Sequence, residues 1–388
     1  MMKAIVMAGG KGTRIRPLTS IRPKPMIPVA NRPLIHYIIE RLRTCGLEEL
    51  VLTLNYLPHK IKMDLKKRFI DLQISYSLEK SPLGTAGGVR KCKNKVDDTF
   101  LVISGDVMAD INWEEVLKFH HQKNALATII LTPVKDPTHF GIAVMDENKK
   151  IKKFLEKPSS DEVFSKMANT GIYIFENEIF DYIPEQKNAV DFSRDIFPLL
   201  IEEEAEIYGY THHGYWNDVG RPSTYLQANY DVLNKNILPG PEGTLLKEKI
   251  GIFGDIWCGK HVFFKNKDNI RINGPVVIGK NCSIGNKCSI GRNTVLGNNV
   301  VVGDNTHISG SVIVDNTTIK PNSYLKNCII DTGCFLEEGT TIEKGAILGS
   351  QVRAGNYSQV KSKCIIGCEV KIPRDFIVDS NYNIGNTV

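Results

Sequence analysis

A six-residue rhythm over the last third of the chain restricts its fold more than any other feature. Ile278, Ile284, Ile290, Leu296, Val302 and Ile308 recur at that spacing, and glycine follows the first five as Gly279, Gly285, Gly291, Gly297 and Gly303. After a slip to spacing five, Ile313, Ile319 and Leu325 continue. A second slip leads to Ile330, Leu336, Ile342 and Leu348, then Ala354, Val360, Ile366, Ile372 and Val378. Neither a heptad nor a 3.6-residue period fits. Hexapeptide repetition marks a parallel β-helix, in which each short strand turns one aliphatic residue inward and the coils stack. Cys282, Cys288, Cys328, Cys334 and Cys364 each stand two residues before a repeat aliphatic. Strand side chains alternate faces, so these cysteines read as small core residues rather than metal ligands.

The earlier part of the chain has a different rhythm. Apolar runs at Lys3–Ala8, Glu49–Asn55, Leu72–Leu78, Thr99–Gly105 and Ala125–Val134 alternate with helical patterns such as Leu34–Gly46. Asn112 with Glu115 three residues on has capping-box spacing. Alternation of this kind predicts an α/β, Rossmann-like, mostly parallel sheet. The expected organisation is an α/β domain over 1–230, a linker over 231–254 containing the Pro- and Gly-rich "ILPGPEGTLL", and a β-helix over 255–388. The 388 residues carry a formal charge of +6, mild for the length and more in keeping with a solvated surface than with nucleic-acid binding. "MMKAIVMAGG" lacks the apolar core of a signal peptide, and no apolar run is long enough to span a membrane. Nine cysteines without a C-x-x-C pair point to a reducing cytoplasm.

The first strand runs into "VMAGGKGTRIRPLTSIRPKP", Val6 to Pro25. Such a loop would leave the carboxyl edge of the sheet, where open α/β folds bind ligands. Gly9, Gly10 and Gly12 would let backbone N–H groups approach anionic oxygens, with Arg14 and Lys24 supplying fixed charge. It is neither a Walker A loop, since Lys11 precedes Gly12, nor a dinucleotide fingerprint, since no third glycine follows. Asp106 follows "TFLVIS" and so stands at another strand's carboxyl end.

The string Gly10-Lys11-Gly12-Thr13-Arg14-Ile15-Arg16-Pro17, then Pro23-Lys24-Pro25, resembles the signature of the sugar-nucleotide pyrophosphorylases. Those enzymes join a nucleoside triphosphate to a sugar 1-phosphate. The resemblance continues in order through "PLGTAGG" (Pro82–Gly88), "SGDV", "FGIAVMDENKKIKKFLEKP", "NTGIYIF" and "GYWNDVGRPSTYLQAN". It implies a left-handed β-helix and Mg²⁺ as cofactor, with Asp106 and Asp218 as the metal ligands. It further implies that Arg14 holds the leaving pyrophosphate and that Lys24 neutralises the phosphates where bonds are exchanged. Ala8, Gly9, Gly10, Gly12, Thr13, Glu79, Gly84 and Thr85 would bind the nucleotide. Gly141, Glu156, Lys157 and Asn169 would bind the sugar phosphate.

Glu79 bears on the base. Pyrimidine-using relatives typically place glutamine there, whereas a carboxylate only accepts hydrogen bonds and suits guanine's adjacent N1–H and N2 amino donors. The resemblance is therefore nearest the mannose 1-phosphate guanylyl branch, with glucose 1-phosphate thymidylyl or uridylyl transfer as the alternative. A second activity in the β-helix, acetyl transfer, lacks its histidine, since "VKIPRDFIVDS" has Arg374 in that place. A non-catalytic regulatory subunit is a further alternative, disfavoured because Arg14, Lys24, Asp106, Lys157 and Asp218 are all present. The β-helix is expected to assemble copies of the chain into a homo-oligomer, and neither nucleic acid nor membrane is an expected partner.

Overall fold

The computed structural model describes residues 3–385 except 45, 48, 97, 186–188, 247–250 and 267–268. Contacts divide the chain into two compact units. The first runs up to Lys11 and includes Pro23–Pro25 and Ile35–Asp218. The second takes Gly12–Arg22, Met26–Leu34 and the chain from Val219 onward.

The first unit is built on strands Lys3–Met7, Glu49–Leu54, Gln73–Leu78 and Phe100–Ser104. They form a parallel block in which Lys3–Met7 pairs with both Glu49–Leu54 and Phe100–Ser104. Beyond Phe100–Ser104 the sheet turns antiparallel through Met167–Phe175, which also pairs with Ala127–Pro133 and Gly141–Met145. The parallel block matches the expected α/β fold, and Met167–Phe175 extends the same sheet antiparallel. Helix Leu34–Arg43 ends before Gly46, whose φ of 74° suits a residue without a Cβ. Helix Trp113–Gln122 is capped as its spacing predicts, the Asn112 side chain accepting from the Glu115 amide at 3.4 Å.

In the second unit, strands of two or three residues stack into three parallel sheets, one on each face of a prism. The repeat aliphatics line its interior: Ile284, Ile313, Ile330 and Leu348 are all fully buried. Cys282, Cys288, Cys328, Cys334 and Cys364 lie in that same core, as their phase predicts. Corners bend through left-handed backbone at Asn281, Asn299, Asn316, Asn305 and Asn322, a conformation asparagine tolerates better than most residues. Their amides also form ladders, Asn281 donating to Asn299 at 3.1 Å and Asn299 to Asn316 at 2.9 Å. The two slips in the repeat fall at shortened corners, Gly310 and Asn327, which sit on successive coils. There Tyr230, on helix Pro222–Leu233, donates to the Gly310 carbonyl at 2.5 Å.

One face of the prism is covered. Its outward residues Val277, Val295, Val312, Ile329 and Ile347 are no more than 3% exposed, whereas outward Val301 on another face is 42% exposed. Asn31 donates to the Leu296 carbonyl at 2.7 Å and Arg22 to Asp331 at 2.6 Å on this covered face. The expected linker, 231–254, holds the end of helix Pro222–Leu233. It also holds strand Thr244–Leu245, which pairs antiparallel with Ile256–Cys258, and strand Ile252–Phe253.

Candidate active site

A cavity of about 310 Å³ opens in the first unit. Its lining comes from the carboxyl ends of the four parallel strands: Met7–Gly10, Thr53, Glu79 and Ser104–Asp106. The register explains the convergence, since Met7 pairs with both Thr53 and Ser104, and Leu54 with Leu78. Lys24, Pro25, Pro82, Gly84, Thr85 and Asp191 complete the wall.

Lys24 is 7% exposed, and a lysine is rarely buried unless paired. Its Nζ contacts the Asp106 carboxylate directly and lies 3.7 Å from Asp218 Oδ1. Asp106 is further oriented by the Ser104 hydroxyl. The two carboxylates flank one another because strand Val107–Ala109 pairs antiparallel with Trp216–Asp218, setting Asp218 opposite Val107. Two half-buried carboxylates beside a glycine loop are a donor set that fits Mg²⁺, which takes one or two carboxylates and completes its shell with phosphate oxygens and water.

Glu79 is half-buried. Its Oε2 accepts from the Leu83 amide at 3.2 Å, and Asn55 donates to its carbonyl at 2.9 Å. A Cβ added at Gly88 would stand 2.8 Å from Glu79 Oε1, so glycine there keeps the slot around the carboxylate open. Burial pushes the Glu79 carboxyl above its ordinary range, against the opposing pull of the Leu83 amide and Lys91.

Thr85 lines the cavity, but its polar groups are already engaged. Its amide and hydroxyl both donate to Asp191 Oδ1, at 3.1 and 3.0 Å, and its hydroxyl accepts from the Phe192 amide at 2.9 Å. Gly84, with φ of 77°, lies so close to the Val190 backbone that a Cβ would meet its carbonyl oxygen at 2.3 Å.

Gly141, Glu156, Lys157 and Asn169 lie outside that lining but in the same unit. Glu156 pairs with Gly141 across the strands, and Lys157 Nζ lies 2.7 Å from Glu156 Oε1. Lys157 has φ of 50°, a left-handed backbone uncommon for a lysine and of the kind that clusters at functional sites. Asn169 donates to the Tyr173 hydroxyl at 3.0 Å and to Ser193 at 3.2 Å, and accepts from the Gly171 amide at 2.9 Å. Phe140 packs edge-on against Trp216 at 5.2 Å, and Trp216 donates to the Thr170 carbonyl. That aromatic contact links this group to the strand carrying Asp218.

Gly12, Thr13 and Arg14 cluster with the second unit instead, Thr13 and Arg14 exposed at the 3₁₀ turn Thr13–Ile15. Sequence reasoning passed over Asp191, although "DFSRDIF" places two acidic residues four apart, and the Asp195 carboxylate accepts from the Asp191 amide at 2.7 Å. Among the histidines, His120 is held between Thr128 and Glu176 and His36 against Asp64.

A glycine loop, a buried lysine and a pair of carboxylates thus gather near the carboxyl ends of the parallel strands, an arrangement suited to anionic, phosphate-bearing ligands. The profile of the nucleotidyl transferase family matches residues 3–235, and the chain belongs to that family. Residues 254–360 match the LbH domain of EIF2B subunit epsilon, a left-handed β-helix. The chain is 37% identical to a UTP–glucose-1-phosphate uridylyltransferase of Synechocystis, over 72% of this chain and 74% of that one. It is 37% identical to a mannose-1-phosphate guanylyltransferase of Mycobacterium tuberculosis, over 61% and 66%. To the mannose-1-phosphate guanyltransferase of Candida albicans it is 35% identical, over 64% and 69%. Among solved structures it is similar to a putative glucose-1-phosphate thymidylyltransferase of Bacillus anthracis, with a TM-score of 0.54 and 25% identity over 59% of this chain and 94% of that one. Among the described residues no helix is long and apolar enough to cross a membrane.

Proposed function

We propose that the chain is a sugar-1-phosphate nucleotidyltransferase that converts GTP and mannose 1-phosphate to GDP-mannose and pyrophosphate. The observation that carries the reaction class is Lys24, buried against Asp106 and near Asp218 beside Gly9 and Gly10. A sugar-phosphate oxygen attacks the α-phosphorus in line, and pyrophosphate leaves. No protein nucleophile is needed, so positioning and charge do the catalysis. Lys24 neutralises the phosphates where bonds are exchanged, and Arg14 holds the leaving pyrophosphate. Glu156 grips sugar hydroxyls, Lys157 holds the sugar phosphate, and Asn169 with the Gly141 backbone completes that pocket. The backbone from Ala8 to Gly10, with Gly12 and Thr13, receives the triphosphate. Asp106 and Asp218 would hold Mg²⁺, which supplies further neutralisation of phosphate oxygens when bound.

Glu79 supports guanine. It lines the cavity, and its carboxylate offers only acceptors to a base. It must be ionised to do so. Because burial raises its pKa, lowering the pH should protonate it sooner than an ordinary glutamate. kcat/KM for GTP should therefore fall on the acid side. Glu79→Gln should remove that acid limb and shift preference from GTP toward UTP by about tenfold or more. Steady-state turnover of both nucleotides against pH checks this; an unchanged GTP preference in Glu79→Gln contradicts the assignment of the base. Glucose 1-phosphate with UTP or dTTP is the second reading, favoured by the names of the Synechocystis and Bacillus anthracis relatives. The described cysteines are free thiols, in keeping with a cytoplasmic setting. The β-helix would assemble copies of the chain, exposed Phe263 and Val301 on one of its faces offering apolar surface to a second copy.

A further inference from the structure

Arg22 lies between the two parts of the signature yet has no part in the chemistry set out for the cavity. It reaches Asp331, 309 residues away in sequence, at 2.6 Å. The Asp331 side chain is fully buried and that of Arg22 is 13% exposed. Asp331 follows Ile330 on the covered face of the β-helix. Its second oxygen, Oδ2, is buried with no hydrogen-bond partner among the described residues, so Arg22 is the chief compensation for its charge. Burial pushes its carboxyl up, and the Arg22 guanidinium pulls it back.

The segments on either side of Pro23–Pro25 are anchored to the same unit. Before it, Pro17 packs at Gly349, where an added Cβ would stand 3.0 Å from the Pro17 side chain, and Ile15 and Leu18 are buried. After it, the Ala30 amide donates to Asn229 at 2.8 Å, the Tyr225 hydroxyl donates to the Pro28 carbonyl at 2.7 Å, and Asn31 donates to the Leu296 carbonyl at 2.7 Å. The chain thus leaves the second unit at Arg22 and re-enters it at Met26, with Lys24 in the three-residue span between. Two prolines stiffen that span.

We infer that Arg22 and Asp331 are positioning residues for nucleotidyl transfer: the ion pair fixes the chain at one end of the short span that carries Lys24. The inference rests on the role proposed for Lys24. Breaking the pair loosens one anchor of the span, and misplacement of a charge at the reacting phosphates lowers kcat more than it raises KM.

The test is a double-mutant cycle read by pyrophosphate release, using the nucleotide and sugar 1-phosphate that the wild-type enzyme turns over. Arg22→Ala should lower kcat about ten- to a hundredfold, well below its melting temperature, with KM for sugar 1-phosphate within a few-fold. In a Lys24→Ala background the same change should cost almost nothing further, because its effect runs through Lys24. Losses that multiply, or a kcat unchanged by Arg22→Ala, overturn the inference. If Arg22→Ala does not fold, Asp331→Asn takes its place, since the amide still offers Arg22 an acceptor. A several-fold loss of kcat that disappears in the Lys24→Ala background then supports positioning, and an unchanged kcat refutes it. Full turnover by Lys24→Ala alone would instead remove the functional reading on which the inference stands.

Discussion

Asp106→Asn should lower kcat by about two to three orders of magnitude while the protein stays folded, the cost typical of removing one electrostatic stabiliser from a preorganised site. Asp106 meets the Lys24 ammonium with one oxygen and the Ser104 hydroxyl with the other. The amide is nearly isosteric, so packing at the strand end survives and the change is one of charge. Among the described residues Lys24 then keeps the Asp218 carboxylate, at 3.7 Å. Asp218→Asn should act in the same direction, and the double variant should lose much less than the product of the two, because the pair works as one unit. Turnover at saturating substrates, with circular dichroism as the control for folding, checks both. Near-normal kcat in folded Asp106→Asn would exclude Asp106 from the reaction.

The largest effect on stability is expected on the covered face of the β-helix. Ile330 points inward and Ile329 outward, yet they are 0% and 3% exposed. Replacing either with alanine should cost about 2–5 kcal/mol, the range for truncating a large aliphatic in a packed core. Val301 also points outward but is 42% exposed, and Val301→Ala should cost less than about 1 kcal/mol. Urea denaturation of the three variants provides the comparison. In an isolated prism, Ile329→Ala would resemble Val301→Ala. Covered by other parts of the chain, it should resemble Ile330→Ala. A small cost at Ile329 would mean that the face is not held closed in solution.

That contrast marks what could be read in advance. The inward phase was legible because the six-residue spacing marks one position in each strand that points into the prism. The covered face was legible too, though it was passed over. Every third strand carries two aliphatics in a row, as in Val277-Ile278, Val295-Leu296, Val312-Ile313, Ile329-Ile330 and Ile347-Leu348, whereas most strands between pair the aliphatic with a polar residue such as Ser283, Ser289 or Thr318, Val301-Val302 being an exception. Asparagines at the corners were a further signal of left-handed backbone. In the first unit, Glu79 was singled out through the resemblance, whereas strand-end positions for the glycine loop and Asp106 followed from alternating strands and helices. The engagement of Thr85 by Asp191 did not, since it joins residues 106 apart in sequence through a loop with no regular period. Nor did the allegiance of Gly12–Arg22 to the second unit, whose contacts include a carboxylate 309 residues from Arg22.

The most direct measurement is product formation by the purified protein with Mg²⁺, offering GTP, dTTP, UTP, CTP and ATP in turn with mannose and glucose 1-phosphates. Pyrophosphate and a single nucleoside diphosphate sugar should appear, fastest from GTP with mannose 1-phosphate, and should be lost together in Asp106→Asn. Folded protein that releases no pyrophosphate with any pair would contradict catalysis at the Lys24–Asp106–Asp218 site.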